Sequence, residues 1–121
     1  IERVQYTVDE TINRYGKIDG LVNNAAGNFI CAAEDLSTNG WNSVVDIVLN
    51  GTWYCTQAVG KKWIEQGHKG RIINMVATYA WRSGPGVVHS ASAKAGVLAM
   101  TRTLAVEWGA KYGIAVNALH V

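Results

Sequence analysis

The sequence predicts an α/β protein built on a doubly wound parallel sheet, and three observations carry that expectation. Long stretches show apolar residues at helical spacing. Between them lie short, nearly continuous apolar runs such as "RIINMV", which read as strands buried within a sheet. The two kinds of segment alternate along the chain in the order helix, strand, helix, strand, helix, strand, which argues for parallel strands joined by helical crossovers.

Each element follows from its own residues. Ile1, Val4, Val8, Ile12 and Tyr15 recur at helical spacing and Gly16 follows as a stop, so a helix is expected from Ile1 to Tyr15. "KIDGLVNNAAG" supplies a strand over Ile18 to Val22 that enters a turn of small residues. From Ser37 to Gln66 the pattern is helical again, in two pieces, with Ser37 or Thr38 able to cap and Trp41, Val44, Val45, Val48 and Leu49 on one side. "GRIINMVAT" is the second strand. Arg82 to Gly86 contains the only proline, Pro85, and two glycines, and reads as a loop. A long helix from about His89 to Tyr112 stops at Gly113, and "IAVNAL" gives the third strand. These are the middle strands and helices of a Rossmann-like sheet. Three parallel strands would leave an edge and part of each face uncovered. No GxGxxG fingerprint occurs, so the phosphate-binding turn, which belongs at the first strand of such sheets, is expected upstream of Ile1.

Composition excludes several function classes. With 121 residues, 49% hydrophobic and 17% charged, the chain has the make-up of one globular domain and lies outside the disordered classes. No apolar run approaches the roughly 18 residues of a membrane span, and a cytoplasmic setting is expected. The net charge of +2 is spread along the chain, with its largest basic cluster at Lys61, Lys62 and Arg71, so nucleic acid is not an expected partner. Cys31 and Cys55 lack CxxC spacing or a nearby histidine pattern, which favours two reduced, packed thiols and no metal site.

Four blocks in order, "LVNNAAG", "DIVLNGT", "RIINMVAT" and "SASAKAGV", together resemble the short-chain dehydrogenase/reductases along essentially the whole chain. More narrowly, "NNAAGNF", Tyr79 and "SASAKAG" resemble the 2,4-dienoyl-CoA reductase branch. Against the wider family pattern two positions have changed: the usual serine falls on Ala77, and the usual tyrosine, four residues before Lys94, falls on Ser90. The resemblance implies a partial domain over 1–121 that lacks an N-terminal phosphate-binding βα unit and a C-terminal substrate lid. It implies NADPH-dependent reduction of 2,4-dienoyl-CoA thioesters in unsaturated fatty acid β-oxidation. Asn28 and Tyr79 would donate hydrogen bonds to the thioester oxygen, Lys94 would bind the cofactor ribose, and Ser90 would contact the nicotinamide amide. Asn50 would support Lys94 through a water. Asn24, Ala25, Ala26 and Gly27 would form the turn beside the adenosine ribose, with Phe29 and Ser37 as substrate contacts. An acyl-CoA substrate and a homotetramer built through helices 37–66 and 89–112 follow from the same resemblance. Trp53, Trp63 and Trp108 are expected among the apolar surface of that interface.

Chemistry explains how the family tyrosine could be relinquished. A ketone reductase must protonate an alkoxide as hydride arrives, which calls for an acid with a suitably lowered pKa. Hydride added to the far end of a dienoyl thioester instead sends charge to the thioester oxygen, giving a dienolate that is protonated later on carbon. Two fixed neutral donors meet that need, in the manner of an oxyanion hole. Each assignment has a simpler competitor. Tyr79 could pack beside Trp81, Asn28 could stabilise a turn after Gly27, and Asn50 with Gly51 could mark a helix kink. Phe29 could be core, Ser37 a helix cap, and Lys94 a lysine reaching solvent from the helix start. His89 reads as a surface residue, because it precedes the helix with no paired carboxylate nearby in sequence. Two other classes compete: a 3-oxoacyl or carbonyl reductase using Ser90, for which a serine hydroxyl is far too weak an acid, and a non-catalytic cofactor-binding relative. A Ser-x-x-Lys hydrolase would need serine at position 91, which is Ala91.

Overall fold

A helix opens the chain, α1 over Glu2–Tyr15, and its amphipathic pattern turns Val8 into the core while Arg14 pairs with Glu10 at 2.9 Å on the outer side. The computed structural model describes residues 2–24, 29–76 and 85–120, with backbone alone for His120. After α1 come β1 (Gly20–Asn23), a 3-10 turn (Ala33–Asp35), α2 (Thr38–Val44), a π-helical turn (Val45–Asn50) and α3 (Gly51–Gln66). The chain continues with β2 (Arg71–Val76), α4 (Val88–Tyr112) and β3 (Ala115–His120). Among the described residues no helix is long and apolar enough to cross a membrane.

The three strands are parallel in the order β1-β2-β3, with Asn23 opposite Asn74 in one pair and Asn74 opposite Ala118 in the other. This is the α/β parallel architecture expected from the alternation of segments. Coverage of the sheet is less even than the pattern implied. Ile72, Asn74 and Val76 of β2 are buried beneath the helices, while Ile73 on the opposite face is 39% exposed, Val22 61% and Leu119 55%. Right-handed crossovers between successive neighbouring strands advance in one direction, so α2–α3 and α4 come to lie on the same side.

Two clusters make the core. Val8, Ala58, Val59, Trp63, Ile72, Leu104, Ile114 and Val116 form the larger one. Val44, Val48, Val76, Ala93 and Val97 form the smaller, toward the carboxyl end of the sheet. Trp63 corrects an expectation: it is 1% exposed, and its indole Nε1 donates to the Ile18 carbonyl at 2.6 Å. That contact belongs to the connection before β1, and the strand accordingly starts at Gly20 rather than Ile18. Trp108 is also committed inward. A β-carbon on Gly60 would lie 2.4 Å from its ring, so glycine is what lets α3 and α4 approach closely.

The helical stretch expected over Ser37 to Gln66 begins where predicted, with the Ser37 hydroxyl accepting from the Gly40 amide at 2.9 Å. Its two pieces are joined without a break by the π turn, in which the Gly51 amide donates to Asp46 O. Both α3 and α4 end on glycines in the left-handed conformation, Gly67 (φ 66) and Gly113 (φ 69).

Candidate active site

Ligands of open parallel sheets bind beyond the carboxyl ends of the strands, and there the chain gathers most of the described site residues. β1 and β2 are locked together first. Asn23 Nδ2 donates to Asn74 Oδ1 at 2.8 Å and lies 3.1 Å from Thr56 Oγ1 on α3, while Asn74 Nδ2 donates to Thr101 Oγ1 on α4 at 2.9 Å. All four side chains are buried. A satisfied polar network of this kind fixes the register of two strands against two helices. It positions the carboxyl end of β1 and the body of α4.

Lys94 lies on α4 and is only 8% exposed. Its ammonium donates to the Met75 carbonyl at 2.7 Å, near the carboxyl end of β2. Burial pulls its pKa below the ordinary lysine value. A lysine reaching for solvent is therefore not what the fold shows. Ser90, one turn earlier, is 1% exposed. Spacing of four residues on a helix places the two on one face, and the family's phenol position presents an alcohol.

Asn50 ends the π turn, and its amide donates to Asp46 Oδ1 at 2.8 Å. π turns interrupt the regular hydrogen-bond ladder and are frequent at functional sites. The neighbouring Leu49 packs on Gly96 of α4, where a β-carbon would meet its Cδ1 at 2.9 Å. Phe29 is 44% exposed and stacks on His89 with ring centroids 4.5 Å apart at 50°. Its ring edge lies 3.0 Å from where a β-carbon on Gly40 would sit, so the first turn of α2, capped by Ser37, meets Phe29 directly. Asn24 is exposed just beyond β1. Tyr79, Asn28, Ala25, Ala26 and Gly27 lie outside the described residues, as does Ala77.

His89 overturns its sequence reading. It sits within the first turn of α4 rather than before the helix, and it is 0% exposed. Phe29 packs against it, a contact between residues sixty positions apart that local pattern does not encode. Sequence reasoning also passed over Asn23, Asn74, Thr56 and Thr101. A signal existed for the two asparagines, each a polar residue inside an otherwise apolar strand.

The family described as enoyl-(acyl carrier protein) reductase matches residues 1–121. A Bacillus subtilis protein, named a probable 2,4-dienoyl-CoA reductase, (2E)-enoyl-CoA-producing, is 62% identical over 93% of this chain and 44% of its own length. A short chain dehydrogenase from Bacillus anthracis shares the fold at TM-score 0.95 with 71% identity, over 97% of this chain and 48% of the other. A gluconate 5-dehydrogenase from Burkholderia cenocepacia, solved in complex with NADP and tartrate, aligns at TM-score 0.91 with 32% identity, over 97% and 45%. The chain spans less than half the length of each of these proteins. A match running from the first residue to the last, on a parallel sheet superposable on solved dehydrogenases, carries one conclusion: the chain belongs to the short-chain dehydrogenase/reductase family.

Proposed function

We propose that the whole protein reduces 2,4-dienoyl-CoA thioesters with NADPH. The observation that carries this reading is Ser90, buried on the helical turn before the buried Lys94. At the family's acid position the chain offers an alcohol, unsuited to protonating an alkoxide. A reaction that first needs hydrogen bonds to an oxygen, and protonation on carbon only later, tolerates that exchange. The 62% identical Bacillus subtilis relative supports the same substrate class, and its designation as (2E)-enoyl-CoA-producing supports a (2E)-enoyl product.

The residues present fit a nicotinamide nucleotide. An ammonium carries three N–H donors. The Lys94 Nζ, held against Met75 O beside the carboxyl end of β2, is of the right chemistry to meet ribose hydroxyls, with Ser90 beside it for the carboxamide. NADPH, when bound, supplies the hydride. Asn28 and Tyr79 hold the thioester oxygen as its charge develops, Asn50 supports Lys94, and Asn24 to Gly27 line the ribose turn. Phe29 and Ser37 border the acyl group. A homotetramer through helices 37–66 and 89–112, and a cytoplasmic role in unsaturated fatty acid β-oxidation, belong to the same reading.

Rates of NADPH oxidation with a 2,4-dienoyl-CoA, a 3-oxoacyl-CoA and a simple ketone test it. Turnover should be confined to the dienoyl thioester. A preference for the 3-oxoacyl compound would overturn the proposal.

A further inference from the structure

Near the carboxyl end of the sheet lies an imidazole that the hydrogen bonding among the described residues does not account for. His89 is 0% exposed, and among the described residues neither Nδ1 nor Nε2 has a partner. A neutral imidazole presents one donor and one acceptor, and buried polar atoms are so regularly paired that an unpaired set points to a ligand, a water or a functional constraint. His68 Nε2 also lacks a hydrogen-bond partner but has Asp19 Oδ1 at 3.8 Å, whereas both nitrogens of His89 are unpaired and no described carboxylate lies beside it.

An aromatic ring rests against His89 at a tilt of 50°. Phe29 lies over it with ring centroids 4.5 Å apart, and Phe29 is itself 44% exposed, so its outer side is open. The backbones around the two rings are tied together by the Cys31 amide donating to the Gly86 carbonyl at 2.9 Å. The Phe29 ring can turn about its own side-chain bonds without breaking that backbone bond. The imidazole it would uncover is the immediate neighbour of Ser90 on α4.

We propose that His89 is a recognition residue for the acyl thioester, concealed by Phe29 in this state. Substrate displaces the Phe29 ring, and a nitrogen of His89 donates a hydrogen bond to a carbonyl oxygen of the thioester or its pantetheine arm. The substrate class rests on the function proposed above.

Binding of decanoyl-CoA, which lacks the diene and is not reduced, tests the inference apart from turnover. In the whole protein His89→Leu should weaken decanoyl-CoA binding and raise KM for a dienoyl-CoA about tenfold, as loss of one substrate hydrogen bond would. NADPH affinity should be unchanged and the melting temperature unchanged or higher, since two unsatisfied polar atoms are gone. His89→Gln, which keeps an N–H donor, should recover most of the binding. Should His89→Leu not fold, His89→Met takes its place. Decanoyl-CoA binding unaffected by the apolar variants, or lost equally in His89→Gln, would show a packing residue and overturn the inference. A wild-type protein that binds decanoyl-CoA yet leaves dienoyl-CoA unreduced would sink the proposed function and leave the His89 comparison intact. No acyl-CoA binding at all would sink both.

Discussion

Tyr79, Asn28 and Ser90 separate the two enzymatic readings at the level of single residues. Removing one donor from a preorganised oxyanion site costs about 100 to 1,000-fold in turnover, so on the proposed dienoyl-CoA reading Tyr79→Phe and Asn28→Ala should each lower kcat by that order. KM should move much less, because charge reaches the thioester oxygen mainly as hydride is transferred. Ser90→Ala should be the milder change, and steady-state kinetics with a dienoyl-CoA would reverse this order if Ser90 were the acid. Lys94 makes a different prediction through its burial. Its folded-state pKa is lowered, so at pH values between that pKa and the ordinary lysine value the unfolded chain binds more protons than the folded one. Stability due to this group therefore rises with pH across that window and is lowest below it. Urea unfolding of wild type and Lys94→Met from neutral to alkaline pH should show the wild type gaining on the variant. A difference independent of pH would mean the ammonium is not penalised by the fold. Lys94→Ala should weaken NADPH binding as well as turnover.

At the scale of elements, the approach of α3 to α4 depends on an absent side chain. Alanine at Gly60 would gain roughly 1 kcal/mol in helix propensity. Its β-carbon would also fall 2.4 Å from Cη2 and 2.5 Å from Cζ3 of Trp108, a rigid ring with no flexible end to yield. Overpacking of that sort costs ~1–3 kcal/mol. Gly60→Ala should therefore destabilise the protein despite the better helix former, and a higher denaturation midpoint would show that α4 can shift freely. The packing also assigns Trp108 to the seam between the two helices. The apolar surface left for an interface lies elsewhere on α4.

Two of the exposed apolar surfaces among the described residues bear on assembly. One is the sheet face bearing Val22, Ile73 and Leu119; the other is the outer side of α4, where Val106 is 77% exposed. Contiguous apolar surface usually marks an interface. A homotetramer through helices 37–66 and 89–112 would use the second. Val106→Arg should then reduce the assembled mass measured by light scattering at micromolar concentration, without loss of helix content. A wild-type protein of monomer mass would remove this assembly from consideration.

Much of the architecture was legible because its signals are local. Apolar spacing, the stop at Gly16, the Ser37 cap and the terminator Gly113 each depend on residues within a turn or two, and each element stands within about two residues of its expected place. The motif residues Ser90 and Lys94 were legible for the same reason, four apart on one helix. Depth in the fold was not legible, because it depends on what other segments bring to the same point. His89 has no local mark of burial; it is interior, and among its contacts is Phe29, sixty positions away in the chain. Trp63 looks like surface until Ile18 offers its carbonyl, and the asparagines of β1 and β2 look like irregularities until pairing in register sets them side by side. Sequence by itself determined the class of fold, the order of its elements and the exchange of tyrosine for serine before Lys94. Tertiary structure alone decided which polar groups would lose water and which partners would replace it, since desolvation is set by the whole surrounding shell and not by neighbours along the chain.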